Sequence, residues 1–279
     1  MLTIFFMTIK EIIRRRVLLV TIVLATGFLT LYGAGVHYGY KDIMEHSGRM
    51  SSTVKALVVP QFLALGLYFG GFIVAFLAIM AAVGTISSEI ENGTMHAIAT
   101  RPVRRAEIVL GKFFGYGVML AVFAALFYIA ILVIIRTNTG LLVPIRMGAL
   151  ALFCLQPLVL LALAMCGTTL LPTLANGIVA FMLYSLGIIG GMLEQIGYLM
   201  KSGVMIKIGI VSSLIMPADS IYRKIVFDIL ASTGLSPTAA MMGPFGSGAA
   251  PSVWMLVYIV AYITGLMLLG LWAFSRRDI

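Results

Sequence analysis

The sequence predicts an all-α integral membrane protein with six transmembrane helices and an N-terminal interfacial helix. Three observations carry that reading. First, 61% of the 279 residues are hydrophobic and only 10% are charged, with a mean hydropathy of +1.10. Soluble domains run nearer 45–50% apolar and about 25% charged, and a globule of this length has too little interior to hide the excess. Second, six stretches reach the ~20 apolar residues that a helix needs to cross ~30 Å of hydrocarbon. Third, the basic residues are distributed unevenly between the segments that join those stretches. Together these exclude disorder, a disulfide-stapled secreted module and a soluble enzyme fold. Strictly alternating segments are absent, which argues against a β-barrel.

The elements follow in chain order. Residues 1–16 place Leu2, Phe5, Phe6, Ile9, Ile12 and Ile13 on one helical face and Lys10, Glu11, Arg14 and Arg15 on the other. That pattern fits a helix lying in the membrane interface. The first span, 17–36, is too long for a cleaved signal peptide and is read as a retained anchor. The others cover about 62–83, 113–135, 147–170, 174–193 and 253–274, and none of the six contains Asp, Glu, Lys or Arg. Leu171, Pro172 and Thr173 separate the fourth from the fifth, a tight hairpin broken by proline. Residues 84–112 form one long connector and 194–252 another. Within the second, 203–216 is apolar but too short to span comfortably, the length of a re-entrant or interfacial segment. A Gly/Pro/Ala/Ser-rich linker is read from Lys224 to Pro251.

Orientation follows from Lys and Arg. With the N-terminus inside, the inner segments hold ten of the 19 Lys+Arg in about 53 residues, and the outer segments hold nine in about 95. Arg14-Arg15-Arg16 and Arg276-Arg277 abut spans, where the positive-inside rule acts most strongly. The reading is a multi-pass protein of the cytoplasmic (inner) membrane with both termini cytoplasmic. The net charge of +9 then records topology and not a nucleic-acid partner.

Much chemistry is missing. No phosphate-binding G-x-x-x-x-G-K-[ST] loop is present, and Gly111-Lys112 lacks its context. His37, His46 and His96 form no ligand cluster and read as solvent-side loop residues. Cys154 and Cys166 read as small buried side chains. Ser247, between Gly246 and Gly248, has no histidine or lysine in a span to activate it. Carriers coupled to protons or sodium hold carboxylates or histidines at membrane depth, and the six stretches hold none. A chain so built takes its driving force from elsewhere, or is a passive or structural protein. The glycines Gly66, Gly70, Gly71, Gly187, Gly190 and Gly191 allow close helix contact, either at a subunit interface or within the chain. No internal repeat supports an inverted-repeat transporter.

The 84–112 connector is the most informative segment. Ser88 and Glu91 have capping-box spacing for a short helix, Asn92-Gly93 breaks it, and Arg101-Pro102 stops a second turn. The expected product is a compact, charged helical knob that can receive force from another subunit.

Glu89-x-Glu91-x-Gly93-Thr94, then Arg101-Pro102-Val103-x-Arg105 and Gly111-Lys112, resembles the signature of ABC-2 type ABC-transporter permeases. Ile98-Ala99-Thr100-Arg101 departs from the Leu-Leu common in that family. The resemblance implies the ABC-2 (type V exporter-like) permease fold over 1–279 as a single transmembrane domain, with 84–112 as a cytoplasmic coupling loop and 194–252 as an extracytoplasmic loop. It further implies that Glu89, Glu91, Gly93, Thr94, Pro102, Arg105 and Lys112 couple the chain to a separate ATP-binding-cassette ATPase subunit, which would bind ATP and Mg. This chain would itself be no enzyme and hold no cofactor. A second permease copy or paralogue would complete a dimer, and export of an unknown substrate is expected. The segment Pro217-x-Asp219-x-x-Tyr222-Arg223 is similar to a subgroup that includes permeases for copper-enzyme maturation, although Met192, Met200, Met205 and Met216 read as packing and not as copper ligands. The competing reading is a membrane scaffold or assembly factor acting through the outer loop.

Overall fold

The computed structural model describes residues 7, 8, 10, 11, 16–47, 51–85, 87, 105–140, 145–232 and 252–276. The described chain is helical: α1 (Arg16–Ser47), α2 (Ser51–Ala82), α3 (Arg105–Thr139), α4 (Met147–Leu170), α5 (Thr173–Met200), α6 (Gly203–Ile215), α7 (Ala218–Ser232) and α8 (Val253–Arg276). Met7, Thr8, Lys10 and Glu11 are helical as well. The remainder of the expected interfacial helix lies outside the described residues.

Six of these helices, α1 to α5 and α8, are long and apolar enough to cross a membrane. Most run past the apolar stretches that predict them. α1 continues through His37 to Ser47, and α5 continues through Glu194 to Met200. Helix continues wherever the next backbone groups can bond within the segment, so polar residues at a span's end extend it into the interface. His37 and His46 therefore belong to a helix and not to a loop. His37 Nδ1 lies 2.9 Å from Asn138 Oδ1 of α3.

α2 and α4 are the most buried spans, whereas α1 and α8 are the least. The core is built from α2, α3 and α4, with Leu67, Leu120, Ile131 and Leu160 fully enclosed. α8 lies along the outside, exposing Trp254 near one end and Trp272 near the other. Those indoles are about 27 Å apart along the helix at 1.5 Å per residue, close to the hydrocarbon thickness, and each suits a water–lipid boundary. Arg276 stacks 4.3 Å over the Trp272 ring.

Glycine sets the helix crossings. A Cβ on Gly66 would overlap the Tyr32 hydroxyl, and one on Gly70 would come 2.8 Å from Phe127 and Ile131. Gly71 leaves room for the Gln156 amide, 3.1 Å from where its Cβ would be. These three glycines thus serve contacts within the chain, joining α2 to α1, α3 and α4.

Residues 194–232, the described part of the expected outer loop, are far from an open loop. α5 ends where Lys201 adopts φ 53° and the Ser202 amide bonds back to the Gly197 carbonyl at 2.9 Å, a left-handed helix stop. α6 then turns back along α5, and Met216-Pro217 bends the chain by 108° into α7. α7 returns towards the start of α4, where Arg146 donates 2.9 Å to the Asp228 carbonyl. The end of α5 and the start of α4 share one membrane face, because these helices are antiparallel and joined at Leu171–Pro172. The α6–α7 pair therefore leaves and rejoins the same face: it is re-entrant. Helix persists to Ser232, which corrects the linker expected after Lys224 as far as residue 232; the rest of that expected linker lies outside the described residues.

Candidate functional site

Two polar constructions lie at opposite ends of this bundle. The first is a collar at the base of the 84–112 segment. Lys112, about two turns inside α3, is buried, and its ammonium group bonds the Thr85 carbonyl just beyond α2. Ser87 and Thr173 share a hydroxyl–hydroxyl bond of 2.8 Å. Asn176, buried in the first turn of α5, donates 2.9 Å to the Ala164 carbonyl of α4 and 3.4 Å to the Val83 carbonyl. A Cβ on Gly167 would overlap the Asn176 amide oxygen, so that glycine makes room for the amide. The collar thus ties the ends of α2, α3 and α4 to the start of α5.

The sequence-predicted coupling residues divide here. Lys112 is part of the collar. Arg105 opens α3, and its backbone alone is described. Glu89, Glu91, Gly93, Thr94 and Pro102 lie outside the described residues, as does His96.

The second construction was not foreseen in the apolar stretches. Arg223 of α7 is buried and uses each of its nitrogens. Nη1 lies 2.8 Å from Glu194 Oε1 of α5, and Nε lies 3.0 Å from Asp219 Oδ2. Nη2 donates to the Ser213 hydroxyl at 3.0 Å and the Ser220 hydroxyl at 3.3 Å. The Nε–Asp219 contact is an ion pair in distance without hydrogen-bond alignment, and Glu194 Oε2 has no hydrogen-bond partner. The cluster holds two carboxylates against one guanidinium, all three side chains less than a tenth exposed.

Glycines of α5 bring the re-entrant pair this close. A Cβ on Gly191 would overlap Asp219 Oδ2, one on Gly190 would overlap Ser212, and one on Gly187 would lie 3.0 Å from Met216. Ser212 donates 2.6 Å to the Leu186 carbonyl. Of the two readings of this glycine stripe, contact within the chain is the one observed. Its partner segment was visible as Pro217-x-Asp219-x-x-Tyr222-Arg223. That it lies against Glu194 was not, because the pairing depends on the 108° bend.

Asp219 also forms part of a narrow cleft between α2, α4, α5 and α7. Tyr68, Phe72, Tyr184 and Tyr222 give it aromatic walls, and Gln156 and Ile188 complete it. The Tyr68 and Tyr222 rings meet edge to face at 5.3 Å, and Phe72 lies 6.1 Å from Tyr184. Tyr222 is fixed by a 3.0 Å bond to the Ala64 carbonyl. The cleft lies about 16–22 Å from the collar along α2 (Phe72 and Tyr68 to Val83) and about 12 Å along α4 (Gln156 to Ala164), at 1.5 Å per residue. The argument that the chain holds no carboxylate at membrane depth thus fails in the fold: the re-entrant pair and the extended end of α5 carry charges into the bundle. Among the described residues no group of His, Cys, Asp and Glu could hold a metal ion, and Met216 is a core residue.

Six helices long and apolar enough to cross a membrane, with a bent helical pair before the last, define a polytopic membrane protein. The chain belongs to the ABC-2 family: the model described as "ABC-2 family transporter protein" matches residues 2–279. No curated protein is a significant match to the sequence. Membership makes it a permease subunit of an ATP-binding-cassette transporter and a multi-pass membrane component, the system's ATPase being a separate partner.

Proposed function

We propose that this chain is the membrane half of an exporter of the cytoplasmic membrane, with both termini cytoplasmic, and that a partner ATPase drives it through the 84–112 segment. The collar is the observation that carries this reading. Force applied to that segment reaches α5 by way of Thr85, Ser87, Lys112 and Asn176, and α5 in turn bears the re-entrant pair. ATP and Mg would bind the partner. Glu89, Glu91, Gly93, Thr94, Pro102 and Arg105 would dock on it, and Lys112 would hold the docking segment to the bundle. Two permease chains, identical or paralogous, would enclose the pathway, and closure of the ATPase pair would switch its access as a rigid-body movement.

Purification in mild detergent tests the partnership, with an ATP-binding-cassette ATPase expected to co-purify. Replacing Glu91 and Arg105 together is expected to leave the membrane domain folded while abolishing that complex or its substrate-stimulated ATP hydrolysis. An unchanged complex and rate would overturn the coupling role, and the absence of any such ATPase would favour a scaffold. A cysteine at His96 is expected to label only from the cytoplasmic side.

A further inference from the structure

We propose that the cleft beside Asp219 binds the primary ammonium group of an organic amine. Charge balance is the first reason. Glu194 and Asp219 together exceed Arg223 by one negative charge, and Arg223 is already committed on Nε, Nη1 and Nη2. A buried surplus charge is expensive unless a counter-charge joins it. Other basic groups nearby are engaged elsewhere or turned outward: Lys224 pairs with Asp228 at 3.0 Å, while Lys201 and Lys207 are exposed.

The walls are the second reason. Asp219 belongs both to the ion cluster and to the cleft, where Tyr68, Phe72, Tyr184 and Tyr222 surround it. Aromatic faces attract cations through their quadrupole, more strongly where water is excluded. Gln156 adds an amide oxygen able to accept an ammonium hydrogen. Size is the third reason. The enclosed space holds about one water molecule, which matches an –NH3+ group and excludes a trimethylammonium group. Beside it, Phe72 is partly exposed on α2.

This deepens the transporter reading, and rests on it only in taking the amine as cargo; binding itself is measured separately. The full chain in lipid nanodiscs is titrated calorimetrically, against empty nanodiscs, with butylammonium, butanol, tetramethylammonium and sodium chloride at constant ionic strength. Butylammonium is expected to bind saturably, and the other three are expected not to. Asp219→Asn is expected to weaken binding at least tenfold. Glu194→Gln, which removes the surplus charge without touching the cleft, is expected to weaken it at least fivefold. Should Asp219→Asn fail to fold, Glu194→Gln and the four probes on the natural chain still decide.

Equal binding of butanol, displacement of the amine by sodium at equal concentration, or no amine heat at all overturns the proposal; the last result means that a proton supplies the missing charge. Methylammonium separates two sources. Equal affinity marks a soluble amine, and affinity rising with each added methylene marks an amphipathic one, and either sustains the site. Amine binding without a co-purifying ATPase leaves the site standing and removes the transport reading. A coupled ATPase without amine binding does the reverse.

Discussion

The collar and the re-entrant cluster solve opposite problems with different chemistry. The collar joins four helix ends through hydroxyls, one amide and one ammonium group, mostly bonded to backbone carbonyls that a helix end leaves unsatisfied. Such bonds are individually modest in a membrane protein, averaging about 0.6 kcal/mol, and can be exchanged for equivalents as a helix shifts. The cluster concentrates three formal charges under a glycine-lined crossing, where removing Arg223 strands two buried carboxylates. The contrast teaches that one end of α5 is held adaptably and the other rigidly, a suitable arrangement for an element that transmits movement towards a fixed binding geometry.

Substitutions can break or sharpen that contrast, and they are ordered here by expected effect. Arg223→Met strands two buried carboxylates and should destabilise the chain by about 3–5 kcal/mol, read as loss of the folded, monodisperse protein or a large fall in Tm. A smaller deficit, near that of the collar variants, would mean the cluster is not held rigidly. Gly191→Ala forces a methyl group into Asp219 and should cost about 1–3 kcal/mol by overpacking. Gly27→Ala, whose Cβ meets nothing within 4 Å, should leave Tm unchanged beside it. Asn176→Ala removes two hydrogen bonds of the collar and should cost about 1–2 kcal/mol, with substrate-stimulated ATP hydrolysis falling further than Tm accounts for. Tyr222→Phe deletes the bond to the Ala64 carbonyl and should cost about 0.6 kcal/mol. Combined with Asn176→Ala it should be additive in Tm, since the two share no partner; a clear excess would show that collar and cluster communicate.

Much of the architecture was legible in the sequence, and particular residues show why. Each of the six spans announces itself through uninterrupted apolar length, because lipid demands it locally of every crossing helix. The Leu171–Pro172 hairpin was equally plain, since proline interrupts a helix wherever it stands. The site was legible only in part. Lys112 stood out by motif as a coupling residue, whereas its burial and its bond to the Thr85 carbonyl were not foreseen. Glu194 was assigned to a loop because hydropathy falls there, although the helix continues. Asp219 and Arg223 stood out as a motif without a partner.

By itself the sequence determined the class of protein, the number of crossings and the family, because all three depend on local apolar length, on charge next to spans and on a contiguous motif. Only the tertiary structure decided that 203–232 is a re-entrant pair and that Gly187, Gly190 and Gly191 serve it. It also brought Glu194 to Arg223 and Asp219 to the aromatic cleft. Those facts depend on the 108° bend and on glycines that admit another helix's side chains, and a pairing made by a bend leaves no period in the sequence to read.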